Sequence, residues 1–221
     1  ALAENGGPAL TIDLFRSFQG RKSEELLREI FPLLSAARIA RIEEECTGYY
    51  RQRLEKIGFS YYTSTIALVG FLSERGIRCG VGSGSAVVKQ MLASSGLQEC
   101  FDVVIDGKAV HNGKPHPETY LRAAEVLGVP PARAAVVGDA DVDMRASVAG
   151  GFALAIGLNR GDRENGERLS ASGADVVVED LWDLDLRVLL DGSERGDRPL
   201  YLRQCVKENL CPGLPRVYLR D

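Results

Sequence analysis

The chain has 221 residues, of which 45% are hydrophobic, 26% charged and 7% aromatic, and its formal net charge is −4. That length lies between one small domain and two full ones, so one globular core with a smaller satellite is expected. A slight acidic excess with no basic stretch argues against a nucleic-acid partner, and no apolar run approaches the ~20 residues of a membrane-spanning helix. The chain starts at Ala1, and residues 1–7 have neither the basic head nor the apolar stretch of a signal peptide.

Cys46, Cys79, Cys100, Cys205 and Cys211 are odd in number, far apart and without a CxxC pair, so neither a disulfide scaffold nor a zinc site is readable. With only His111 and His116 besides, a reducing cytoplasm is the expected setting.

Residues 11–55 carry apolar positions at spacings of three and four: Leu14, Phe15 and Phe18, then Leu26, Leu27, Ile30 and Phe31, then Ile39, Ile42 and Cys46. These predict amphipathic helices, the first broken from the second at Gly20, and together a small all-helical unit within residues 1–62.

From residue 63 to 190 the texture changes to strands alternating with helices. Helices are predicted over 65–75, 87–95, 117–127 and 144–149, and strands over 77–82, 101–105, 134–137, 152–156 and 175–178. Such alternation means βαβ units and a parallel sheet covered on both faces, whose ligands bind at the carboxyl ends of the strands. Residues 191–221 lose the rhythm and read as a loosely structured tail, with one helix over 199–209.

Three strand-end clusters carry chemistry. In Gly82-Ser83-Gly84-Ser85, small residues let the backbone approach an anion and a hydroxyl adds a donor; an ordinary strand-to-helix turn has the same composition. In Asn112-Gly113-Lys114-Pro115-His116-Pro117-Glu118, the lysine is held between stiff neighbours, which suits neutralising a phosphate or carboxylate; a solvated turn lysine is the plain alternative. In Gly138-Asp139-Ala140-Asp141-Val142-Asp143, carboxylates crowd the loop after an apolar strand. Like charges so close call for a cation, and oxygen ligands without His or Cys favour Mg²⁺. Acids at a helix N-terminus would be favoured by the macrodipole alone. Together the three suit a phosphoryl group.

With those clusters in place, the chain resembles the haloacid dehalogenase (HAD) superfamily, in the helical-cap subgroup that holds phosphoglycolate phosphatases and β-phosphoglucomutases. The resemblance covers roughly residues 1–190 and implies an α/β fold, a three-layer parallel-sheet Rossmann-like core with a small all-helical cap. It implies that Ser83, with Gly84, binds the phosphoryl group, that Lys114 stabilises its charge, and that Asp139 and Asp143 of the GDxxxD pattern hold Mg²⁺. The separations, 31 residues from Ser83 to Lys114 and 25 from Lys114 to Asp139, suit the family. Arg21 and Lys22 fall in the stretch similar to the cap's substrate loop, although a solvated helix start explains them too.

The family's first motif, DxDGT or DxDxT, which carries the nucleophilic Asp, has no match in the chain. The expectation is that about 20 to 30 residues belong upstream and that these 221 residues alone are inactive. Loss of the central strand would leave unpaired ladder edges and a slot between helices. The expected activity is Mg²⁺-dependent hydrolysis of a small phosphorylated metabolite through an aspartyl-phosphate. The alternatives are a β-phosphoglucomutase-like phosphosugar mutase, and a non-catalytic phosphate- or partner-binding module without the nucleophile.

Overall fold

A computed structural model describes residues 2–9, 11–58, 61–161, 163–190 and 200–202. Three helices come first: α1 (Ile12–Phe18), α2 (Ser23–Ile30) and α3 (Ala36–Ile57). Thr11 caps α1 by accepting from the Leu14 N–H, and Ser35 caps α3 by accepting from Arg38. Leu27 and Phe31 from α2 and its end pack on Ile39 and Ile42 of α3, giving this helical cap a small core of its own.

Helix α4 (Thr63–Ser73) then leads into β1 (Gly80–Gly82), α5 (Val88–Ser94), β2 (Val103–Ile105), α6 (Glu118–Leu127), β3 (Ala135–Gly138), α7 (Asp141–Ala149), β4 (Leu154–Leu158), α8 (Arg163–Ala171) and β5 (Val176–Val178). Among the described residues, every pairing between these strands is parallel, as the βαβ rhythm requires. The ladder is divided, however: β1 pairs with β2, and β3 pairs with β4, which pairs with β5. Among the described residues, neither β1 nor β3 has a second strand neighbour. Strands of a parallel sheet are normally buried on both faces, yet Val137 of β3 is 39% exposed.

Shared helices hold the two half-sheets together. Helix α4 is apolar all round, with Ile66, Ala67, Leu68, Val69 and Phe71 buried. Ile66 packs with Val88, Leu92 and Leu97 beside β1, while Ala67, Leu68 and Phe71 join Ile156, Leu158, Leu181, Leu184 and Leu186 beside β4. Burying a side chain such as Phe71 contributes about 1.5–3 kcal/mol.

Several sequence expectations need correcting. Strand β4 lies two residues later than its apolar run suggested, because Leu158 rather than Phe152 is in the ladder opposite Val178. Helix α7 begins at Asp141, so Asp141 and Asp143 occupy its first turn rather than a loop. Helix α8 has no counterpart in the sequence reading: it is polar, contains Gly166 and buries Leu169 alone, so its apolar periodicity is nearly silent. The helix expected over 199–209 lies almost wholly outside the described residues. Within 200–202, Leu202 is buried in the main core and Tyr201 bridges to Asp185.

Candidate active site

The three clusters meet at the carboxyl ends of the strands, across the division between the half-sheets. Strand β1 ends at Gly82, and the Ser83 N–H is still in register, donating to the Ile105 carbonyl at 2.9 Å. The Ser83 hydroxyl accepts from the Ser85 N–H at 3.1 Å and the Ser85 hydroxyl from Val87 at 3.3 Å, so the turn into α5 is built by hydroxyls. Gly84 is required by close approach, since a Cβ there would collide with the Arg21 carbonyl of the cap.

Lys114 follows β2 and is 4% exposed. Its Nζ donates to Asp143 Oδ1 at 2.6 Å and, more loosely, to the Gly82 carbonyl and the Tyr120 hydroxyl, both at 3.4 Å. The Lys114-Pro115 peptide is cis. Glu118, opening α6, accepts from the His111 and Asn112 amides at 2.8 and 2.9 Å. Those amide bonds hold its carboxyl down at about 2.

Asp143 accepts from Lys114 and from the Tyr120 hydroxyl (2.7 Å) on Oδ1, and from the Ala140 N–H (3.1 Å) on Oδ2. Burial first, and the negative charge of Asp143 next, push the Tyr120 hydroxyl well above its usual value, so it serves as a donor. Asp139, one residue past β3, is exposed by surface area, although protein atoms surround its carboxyl closely enough to desolvate it. That desolvation raises its carboxyl, the Asp143 charge adds to the effect, and Arg160 and Lys114 oppose it. Asp141, one residue outside this corner, pairs instead with Arg145 at 2.7 Å.

The structure therefore brings Ser83, Gly84, Lys114, Asp139 and Asp143 to one edge. Arg21 and Lys22, expected as substrate contacts, have protein partners in the structure. Arg21 pairs with Glu29, and Lys22 donates to the carbonyls of Val110 and His111. Sequence reasoning missed Tyr120, whose position six residues past Lys114 on α6 is a signal only once α6 and α7 are known to be adjacent. It also missed Asp106, which is buried, accepts from the Lys108 and Ala109 amides and pairs with Lys89 at 3.0 Å to close the turn after β2.

A hard cation is tested by the donor set. Asp139 fits: it is an oxygen donor whose carboxyl is pushed up by desolvation and by the neighbouring Asp143 charge, both of which a cation would offset. Asp143 offers less, since Oδ1 already serves two donors. Among the described residues no three His, Cys, Asp or Glu side chains are grouped as a complete metal centre.

Residues 1–156 match the family model described as haloacid dehalogenase-like hydrolase. Over 114 residues the chain is 42% identical to a β-phosphoglucomutase of Mycobacterium tuberculosis, a match covering 49% of the chain and 44% of that relative. The chain thus spans less than half the length of this relative. A phosphoglycolate phosphatase of Cupriavidus necator is 28% identical over 184 residues, covering 81% of the chain and 79% of the relative. Among solved structures, a β-phosphoglucomutase of Clostridium difficile superposes with a TM-score of 0.71 at 23% identity, covering 85% of the chain and 84% of that structure, a likeness of fold.

Proposed function

Because the chain belongs to the haloacid dehalogenase-like hydrolase family, we propose that it forms the phosphoryl-binding part of a Mg²⁺-dependent hydrolase of small phosphate esters. The observation that carries this reading is the buried Lys114–Asp143 pair at 2.6 Å, which fixes an ammonium against the Gly82 carbonyl, one residue before Ser83, where the two half-sheets end. Phosphoryl transfer asks chiefly for positioning and charge neutralisation. Ser83 and the small Gly84 turn would hold the phosphoryl oxygens, and Lys114 would neutralise the charge that develops on them.

Asp139 would hold Mg²⁺, and the bound ion would supply Lewis-acid polarisation of a phosphoryl oxygen. Asp143 then acts mainly through Lys114, whose ammonium it orients. The nucleophile in this reading is an Asp, forming an aspartyl-phosphate that water hydrolyses. No motif in the chain supplies that Asp. The division between β1 and β3 lies beside Ser83, Lys114 and Asp139, which favours a strand there as its carrier. A cytoplasmic location belongs to the same proposal; among the described residues no helix is long and apolar enough to cross a membrane.

The 42% identity to a protein named β-phosphoglucomutase favours a second reading, a phosphosugar mutase that returns the phosphoryl group to sugar. The test is the product of the whole gene, assayed on generic phosphate esters with Mg²⁺. Release of inorganic phosphate supports the hydrolase, and isomer interconversion primed by a sugar bisphosphate supports the mutase. No turnover sinks both and leaves a phosphate-binding module, and turnover indifferent to Lys114→Ala overturns the role given to Lys114.

A further inference from the structure

We propose that Lys22 and Glu25 of the cap are positioning residues that couple closure of the cap to the placement of the Lys114 ammonium. The inference rests on the reading that Lys114 holds the phosphoryl group. Lys22, at the N-terminal boundary of α2, donates through Nζ to the Val110 carbonyl at 3.0 Å and the His111 carbonyl at 3.2 Å. Glu25, in the first turn, accepts the Gly113 N–H on Oε1 at 2.6 Å. These contacts join residues 88 and 89 apart in sequence. Both are charge-assisted bonds, roughly twice as strong as neutral ones.

The gripped loop is the one that ends in Lys114. From the core side, Glu118 binds the amides of His111 and Asn112. From the cap side, Lys22 takes the carbonyls of residues 110 and 111 and Glu25 takes the amide of Gly113. Were the cap to open, Glu118 would still fix residues 111 and 112 and the His116 N–H would still hold the Gly113 carbonyl at 3.0 Å, but the Gly113 N–H would lose its acceptor. The fit at this point admits no side chain: a Cβ on Gly113 would stand 2.6 Å from Lys22 Cβ and 2.8 Å from Glu25 Oε2. Both charged heads are turned to the loop backbone, the Lys22 ammonium also pairing with Glu24 at 3.7 Å, so their chemistry fits recognition of the core better than recognition of a substrate.

Linkage makes the coupling measurable in both directions: if the closed cap sets Lys114 for an anion, an anion at Lys114 must favour the closed cap. The experiment uses the full 221-residue chain and orthophosphate as the probe. Amide hydrogen exchange at Gly113 and orthophosphate affinity are measured for the parent, Glu25→Ala, Glu25→Gln, Lys22→Met and Gly113→Ala. Glu25→Ala and Lys22→Met are expected to speed Gly113 exchange, on the order of tenfold or more for Glu25→Ala, and to weaken phosphate binding. Glu25→Gln, which keeps an acceptor, should restore part of both, and Gly113→Ala should weaken phosphate binding from the other side of the contact. Saturating phosphate should slow Gly113 exchange in the parent and not in Glu25→Ala. Unchanged Gly113 exchange in Glu25→Ala overturns the proposal, as does faster exchange with phosphate affinity intact. If the parent binds no phosphate, or Lys114→Ala binds it equally well, the reading of Lys114 fails and the coupling to it falls too. Faster Gly113 exchange in the variants would then show that the cap contact itself exists.

Discussion

Lys114 and Asp143 are 29 residues apart in sequence, yet Nζ and Oδ1 stand 2.6 Å apart with both side chains 5% exposed. One residue follows β2 and the other opens α7 against β3, so the pair ties together two half-sheets that share no ladder hydrogen bonds. A buried pair of this kind is costly to break from one side, because the remaining charge is stranded.

Lys114→Met and Asp143→Leu should therefore each lower stability by about 3–5 kcal/mol. The double variant should cost clearly less than the two together, since neither charge is left alone. Urea unfolding of the four proteins measures this. Additive losses would show that the two residues do not act as a pair.

Tyr120→Phe isolates the second donor to Asp143. The ring and its edge contact with Phe152, at 6.1 Å between centroids, are kept, and the O–H to Oδ1 is lost. The expected cost is about 1.5–3 kcal/mol, the range for a hydrogen bond to a charged group. A denaturation midpoint equal to that of the parent would place the Tyr120 hydroxyl outside the network.

The Glu118 carboxyl, at about 2 against an ordinary 4.5, sets a pH dependence of stability. Its folded value is depressed, so its contribution is present above about 4.5 and is lost as pH falls through about 2. Glu118→Gln should accordingly be less stable than the parent at neutral pH, and the difference should shrink between those limits. Asp185, also at about 2 because it is bonded by Arg187, titrates in the same window and leaves a residual slope in the variant. A gap between parent and Glu118→Gln that stays constant down to pH 2 would contradict the assignment.

Magnesium should raise the thermal midpoint of the chain, by an amount equivalent to about 2.7 kcal/mol at a hundredfold excess over the dissociation constant. Asp139→Asn should abolish the response. Asp141→Asn should keep it, because Asp141 is turned to Arg145. Equal responses from Asp139→Asn and the parent would remove Asp139 from the proposed cation site.

Much of this was legible in the sequence for local reasons. Alternating apolar runs and Gly stops placed the helices and strands, and small, basic and acidic residues at the strand ends pointed to the edge where Ser83, Lys114 and Asp139 meet. What escaped was what periodicity does not encode. Helix α8 buries one leucine, and the two-residue shift of β4 is set by its partners Val176, Val177 and Val178 rather than by its own apolar run.

The sequence by itself determined the parallel α/β class, the small all-helical unit and the three clusters, because each depends on residues close together in the chain. Tertiary structure decided the rest. It split the ladder between β1 and β3, and bound Asp143 to Lys114 and Tyr120. It also spent Lys22 on the backbone of residues 110 and 111. Each of these depends on which surfaces meet across 20 to 90 residues of chain, and distance in space is what one-dimensional spacing does not carry.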